Sequence, residues 1–304
     1  MRVIKNIPAS IRAQLLNYAK QQGRPFNEIL QYYALQRFLY RLSKSEHSKS
    51  FILKGAFLLK AWGYADNRPT MDIDLLGKTE NSEQNIVSKI RDIIETKIEP
   101  DGLVFDEASI LCEPILKEAD YTGIRVNFLC SLDTAKISIQ IDIGFGDVIY
   151  PKAEVIELNS VIGLSAAKVR SYNRESSVAE KFHAMFKLGT LNSRMKDFYD
   201  IWILSEKYSF DGKILSTAIA KTFANRKTVL DKNALPFTQE FALNKQNQWE
   251  AFCKRMLGDS KDVSRNFLDI VECLQRFLNP IVLAITTGGV YDKIWRFEDR
   301  KWDG

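Results

Sequence analysis

Histidine is nearly missing from this chain: His47 and His183 are the only two in 304 residues. A zinc site built from imidazoles, or a hydrolase with a histidine general base, is therefore poorly supported. His47 falls in a polar stretch, residues 43–50, expected to be a loop, and His183 reads as packing or helix surface rather than as a catalytic group. Cysteine is also scarce. Cys112, Cys130, Cys253 and Cys273 are widely spaced and form no CxxC pair, so they read as reduced, mostly buried thiols. No GxxxxGK[ST] loop occurs, which argues against P-loop chemistry. No apolar run approaches the roughly 20 residues that span a bilayer. The first residues, Met1 to Asn6, lack the apolar core of a signal peptide, so a cytoplasmic location without membrane contact is expected. Internal repeats and low-complexity tracts are absent.

What is present is ordinary soluble-protein material, 45% hydrophobic and 27% charged. The length allows two domains, or one domain with a helical extension. A net charge of +5 and a pI near 8.8 suit a polyanionic partner, although many proteins of similar charge bind no nucleic acid.

Periodicity and punctuation predict helices over residues 10–22, 25–42 and 56–62, with a short strand at 51–53. A strand is expected at 71–76 and a helix at 82–97, followed by β-rich runs at 103–110, 123–130 and 135–145. The remainder is helical in character: 176–188, 195–208, 213–223, 246–257 and 263–278. This order predicts an α+β protein. Its expected parts are an N-terminal helical segment (1–50), a catalytic core with a mixed sheet (51–160) and a helical C-terminal domain (161–304). Tyr32, Tyr33, Phe38 and Tyr40 in the N-terminal helices read as exposed aromatics, either capping the core or meeting a partner.

The chemistry concentrates in Met71-Asp72-Ile73-Asp74-Leu75 and Ile137-Ser138-Ile139-Gln140-Ile141-Asp142-Ile143. Side chains alternate along a strand. Asp72 and Asp74 therefore share one face, and Asp142 stands opposite its isoleucines. Three carboxylates on one sheet face repel unless a cation sits among them, and Mg²⁺ takes hard oxygen ligands together with phosphate oxygens. The competing reading of an isolated D-x-D is a solvated strand face. Gly55, at a strand–helix turn, would let phosphate approach backbone N–H groups. Arg68 and Thr70 stand just before the acidic strand, where they could meet phosphate oxygens.

A second cluster comprises Lys181 on one helix and Arg194, Asp197 and Asp200 on the next. Carboxylates continuous with an apolar stripe need a cationic partner. The cluster reads either as nucleotide contact or as an ion-pair network joining two helices. Lys168, Arg170, Arg174, Lys181, Lys187, Arg194 and Lys196 form a basic stretch that suits an RNA backbone or simply a solvated surface.

Gly55-Ala56 followed by Arg68-Pro69-Thr70-Met71-Asp72-Ile73-Asp74-Leu75 resembles the first motif of the AbiEii/MenT nucleotidyltransferase toxins of the DNA polymerase β-like superfamily. Glu180-Lys181-Phe182-His183-Ala184 and Arg194-Met195-Lys196-Asp197-Phe198-Tyr199-Asp200 resemble that family's later motifs. The likeness spans about residues 50–205. It implies a polymerase β-like core, a nucleoside triphosphate substrate, Mg²⁺ or Mn²⁺ held by Asp72, Asp74 and Asp142, and nucleotide binding by Gly55, Ala56, Arg68, Thr70, Lys181 and Arg194. It implies catalytic roles for Asp72, Asp74, Asp142, Lys181, Asp197 and Asp200. It further implies a type IV toxin of an abortive-infection or phage-defence system, a cognate antitoxin, and transfer of a nucleotide to RNA such as the tRNA 3′ end. Transfer to a protein or small molecule, γ-phosphoryl transfer, and a non-catalytic binding module are the alternatives. Ala56 stands where the superfamily usually has serine or glycine, which predicts altered nucleotide affinity.

Overall fold

The protein is described here from a computed structural model covering residues 6–63, 70–117, 121–232, 237–257 and 263–304. The chain forms two compact units. The first comprises Met1–Ala61, Pro69–Gly146 and Glu154–Ser171; the second comprises Trp62–Arg68, Asp147–Ala153 and Tyr172–Gly304.

The first unit opens with α1 (Ile7–Gln22) and α2 (Phe26–Lys44). Asn6 caps α1 by accepting from the Ala9 N–H, and Gly23 ends it in the left-handed conformation, its N–H donating to the Ala19 and Lys20 carbonyls. Strand β1 (Phe51–Lys54) turns at Gly55 into α3 (Ala56–Ala61), and β2 (Ile73–Gly77) precedes α4 (Glu83–Ile94). Ser82 caps α4, and Ile86, Ile90, Ile93 and Ile94 form its buried stripe. Then come β3 (Leu103–Lys117), β4 (Tyr121–Leu132), β5 (Ala135–Phe145), β6 (Glu154–Leu158) and β7 (Ala167–Ser171). They assemble one mixed seven-stranded sheet in the order β3-β4-β5-β2-β1-β7-β6. Strands β2 and β5 pair in parallel, as do β1 and β7; the other neighbours are antiparallel.

Alternation sets the two faces of the sheet. Ile137, Ile139, Ile141 and Ile143 of β5 and Ile124, Val126 and Phe128 of β4 are all buried, and α2 packs on β5 and β7. The aromatics of α2 belong to this core: Tyr33 and Phe38 are 0% exposed, and Tyr32 and Tyr40 are buried as well. They are not the exposed surface that the sequence suggested. Nor is 43–50 a plain loop. Helix α2 runs to Lys44, and a 3-10 turn over Glu46–Lys49 buries His47, whose ring bonds Asp92 at 2.8 Å. Strand β3 runs well past the expected end at residue 110, through Pro114. A missing N–H is tolerated there because β3 is an edge strand, paired only with β4.

The second unit holds α5 (Arg174–Leu188), α6 (Met195–Lys207), β8 (Phe210–Asp211), α7 (Gly212–Asn225), α8 (Gln239–Leu257) and α9 (Phe267–Thr286), followed by β9 (Ile294–Arg296) and β10 (Lys301–Asp303). Asn173, Asp211 and Asn266 cap α5, α7 and α9 with side-chain oxygens. Phe277, Trp295 and Trp302 stack between α9 and a small β8-β9-β10 sheet, with ring centroids 4.9–5.7 Å apart. Trp249 of α8 is 0% exposed and stacks on Phe252 and Phe267. The α+β class, the mixed sheet, and the helices at both ends match the expectation.

Candidate active site

In the first unit, strand register brings two of the three predicted carboxylates into one row. Asp74 of β2 is the direct partner of Asp142 on β5. Asp72 lies one residue before β2 begins. The row continues in both directions: Arg125 of β4 pairs with Asp142, Glu113 of β3 pairs with Arg125, and Lys54 of β1 pairs with Asp74. Directly opposed residues project on the same face. Across five strands the sheet thus presents Glu113, Arg125, Asp142, Asp74 and Lys54 in sequence.

Arg125 grips Asp142 with a fork. Its Nε donates to Oδ1 and its Nη2 to Oδ2, both at 2.8 Å. Paired N–H···O bonds of this kind are among the stronger polar contacts in proteins. The Asp142 hydrogen bonds and charge, with smaller contributions from Glu113 and Asp72, hold the Arg125 guanidinium above its ordinary pKa. Carboxylates gathered on one sheet face need a cation among them, and the fold supplies Arg125 and Lys54 beside Asp142 and Asp74. Neither residue stood out in the sequence, because neither lies near an aspartate along the chain except through strand pairing.

Gly55 has φ +75°, and a Cβ there would run into the Oδ2 of Asp74. The glycine therefore makes room for a site carboxylate, besides turning the chain from β1 into α3. Ala56 is the first residue of α3. The Thr70 hydroxyl donates to the Asp72 carbonyl at 3.3 Å and is buried, which fixes the approach to β2. Arg68 lies outside the described residues.

Among the described residues, Asp72, Asp74 and Asp142 do not form a group with donor atoms all within 4.8 Å of one another; the group that does is Glu46, His47 and Asp92. Both ring nitrogens of that histidine are engaged, one by Asp92 at 2.8 Å and the other near the Lys89 ammonium at 3.4 Å. With a lysine already in place, that group is a surface ion-pair cluster.

The second unit contains the later motifs. The Lys181 ammonium on α5 donates to Asp200 Oδ2 at 2.6 Å and to Asp197 Oδ1 at 3.3 Å, both on α6. The Arg194 Nε lies 2.8 Å from Asp197 Oδ2. The carboxylates are essentially fully buried, whereas the Arg194 side chain is 41% exposed. Spacing of three residues places both carboxylates on one face of α6. Lys181, Arg194, Asp197 and Asp200 therefore form the interhelical network that was one of the two readings of the sequence.

Sequence reasoning missed a neighbouring cluster. Arg226 bonds Asp147 at 2.9 Å and Glu180 at 2.7 Å, and its Nη1 lies 3.1 Å from His183 Nδ1. The other ring nitrogen of His183 bonds Thr228 at 2.9 Å. Burial, reinforced by the Arg226 and Lys187 charges, pushes the imidazole down to about 4. A neutral, fully engaged ring fits packing rather than catalysis. The basic stretch is likewise dispersed. Lys168 and Arg170 lie on β7, and Arg174 stacks on Tyr208 and Trp62.

The sequence pattern of the AbiEii nucleotidyl transferase toxins of type IV toxin–antitoxin systems matches residues 37–276. The chain belongs to that family. Its membership covers both the carboxylate row and the α5–α6 network. It makes the protein a nucleotidyltransferase toxin and implies a nucleoside triphosphate substrate and an antitoxin partner. No curated protein matches the chain. Solved structures similar to it include JHP933 from Helicobacter pylori, at 14% identity and TM-score 0.43, covering 90% of this chain and 97% of that one. Another is a provisionally assigned H. pylori nucleotidyltransferase, at 14% identity and TM-score 0.42, covering 85% and 95%. Among the described residues of this AbiEii family member, no helix is long and apolar enough to cross a membrane.

Proposed function

We propose that this protein is a Mg²⁺- or Mn²⁺-dependent nucleotidyltransferase that transfers a nucleoside monophosphate from an NTP to RNA, with the tRNA 3′ end as the first acceptor to test. The observation that carries the reading is the register match of Asp74 with Asp142, with Asp72 two residues before Asp74 and Gly55 yielding space to the Asp74 carboxylate. Three carboxylates offer the hard oxygen donors that Mg²⁺ takes, so their chemistry fits such a cation, although their donor atoms do not all lie within 4.8 Å of one another. Held by Asp72, Asp74 and Asp142, it would supply Lewis-acid stabilisation of charge on the phosphoryl oxygens.

The chain's own residues carry the remaining work. Asp142 orients the acceptor hydroxyl or takes its proton as the new P–O bond forms at the α-phosphorus and pyrophosphate leaves. Backbone donors at Gly55 and Ala56, together with Arg68 and Thr70, meet phosphate. The family likeness, rather than the geometry, assigns Lys181 and Arg194 to the triphosphate and Asp197 and Asp200 to holding those two cations. Phosphoryl chemistry of this kind depends mainly on positioning and charge stabilisation. The RNA acceptor, the abortive-infection or phage-defence setting and the cytoplasmic location rest on the family likeness.

The test is incubation of purified protein with Mg²⁺, total RNA and each of the four α-³²P-labelled NTPs, beside Asp72→Ala. Label on a tRNA-sized band with wild type alone is expected. Label on protein or on a small molecule would replace the acceptor, and full activity of Asp72→Ala would remove the metal-site assignment.

A further inference from the structure

Asp142 is asked to serve a divalent cation, yet both of its carboxylate oxygens already accept from Arg125 at 2.8 Å. The side chain is 8% exposed, so it has little room to serve both partners fully. Arg125 itself is placed between two acids. Glu113 pairs with it from β3 on one side and Asp142 from β5 on the other. A guanidinium that leaves Asp142 therefore has a second carboxylate in its own cross-strand row. Arg125 is one-third exposed, so its head can move without unpacking the core.

We propose that Arg125 is a positioning residue that competes with the divalent cation for Asp142, holding the third carboxylate away from Asp72 and Asp74 until the metal displaces it toward Glu113. This rests on the reading of Asp72, Asp74 and Asp142 as metal ligands. Loading is then an exchange of one counter-ion for another. The side chain of Asp142 stays neutralised throughout, and the protein carries its own placeholder charge in the row. Removing the competitor strengthens metal binding. Removing Glu113 takes away the alternative partner and weakens it.

The experiment is Mn²⁺ titration of the purified full chain, with free Mn²⁺ read by electron paramagnetic resonance. It compares wild type, Arg125→Gln, Arg125→Lys, Glu113→Gln, Asp142→Asn and Arg125→Gln/Asp142→Asn, with Asp72→Ala/Asp74→Ala as the reference for the site and thermal melts to confirm folding. Arg125→Gln is expected to bind about tenfold more tightly, from the loss of one competing charge. Arg125→Lys keeps the charge but loses the fork and should fall between. Glu113→Gln should bind more weakly than wild type. In the Asp142→Asn background, Arg125→Gln should change nothing, because the competition acts through Asp142. Unchanged or weaker binding by Arg125→Gln, with binding still lost in Asp72→Ala/Asp74→Ala, would overturn the competition and leave the metal site standing. The same tightening with and without Asp142 would reduce Arg125 to a general field effect and also overturn it. Binding that survives Asp72→Ala/Asp74→Ala, or is absent from every variant, would remove the metal-site reading and this inference with it.

Discussion

Gly55 shows how one residue ties sequence to site. The sequence marked it as a turn glycine, and the structure adds that its missing side chain is the space occupied by the Asp74 carboxylate. Gly55→Ala should therefore act twice. It strains a backbone at φ +75°, at a cost of about 1 kcal/mol, and it displaces Asp74. A modest fall in melting temperature with a loss of nucleotide incorporation of 100-fold or more is expected from parallel melts and label assays; retained activity would separate the glycine from the site. The shared face of Asp74 and Asp142 was legible because strand alternation is written in the sequence, whereas Asp72, expected on the same strand, lies one residue before β2 begins. Arg125 and Lys54 were not legible, because their place depends on which strands pair and in what register, and only the folded sheet fixes that.

Ion pairs that join elements carry the next tier of stability. Asp101, 3% exposed, accepts from Arg37 at 3.0 Å and from Arg41 at 2.5 Å, pinning α2 to the start of β3. Asp101→Asn leaves two buried guanidinium groups short of a counter-charge and should destabilise the protein by about 3 kcal/mol. Chemical denaturation would show it, and a change under 1 kcal/mol would mean that Glu99, 3.0 Å from Arg37, suffices. The α5–α6 network makes a parallel case. Lys181→Met strands two buried carboxylates, so it should lower stability as well as activity; a purely catalytic lysine would leave the melt unchanged. Elements with strong periodicity were legible: α1, α4, α5, α6, β2 and β5 lie near their expected bounds. The short strands β6, β7, β8, β9 and β10 were not, since two to five residues carry too little pattern. The α2 aromatics were misread because the helix is apolar over so much of its surface that its sequence does not show which side is covered.

For the whole molecule, His183 sets a pH dependence. Its native pKa of about 4 lies below the unfolded value near 6.5, so between those values the unfolded chain binds a proton that the native state does not. Stability is therefore complete above about pH 6.5 and falls as the pH drops toward 4. Urea midpoints from pH 7.5 to 4.5 should show wild type losing on the order of 1–2 kcal/mol more than His183→Gln by pH 5; parallel curves would contradict the assignment. The α+β class and the nucleotidyltransferase family were legible because family motifs and periodicity agreed. The second unit's Arg226 cluster was hidden, since Asp147, Glu180 and Arg226 are far apart along the chain. The central claim is that Asp74 and Asp142, with Asp72 two residues before Asp74 in the chain, perform nucleotidyl transfer. The most direct test supplies RNA with NTP labelled either at the α- or at the γ-phosphate, using wild type and Asp74→Asn. The account predicts α label, and no γ label, on RNA from wild type, with none from the variant. Transfer of γ label, or an active Asp74→Asn, would contradict it.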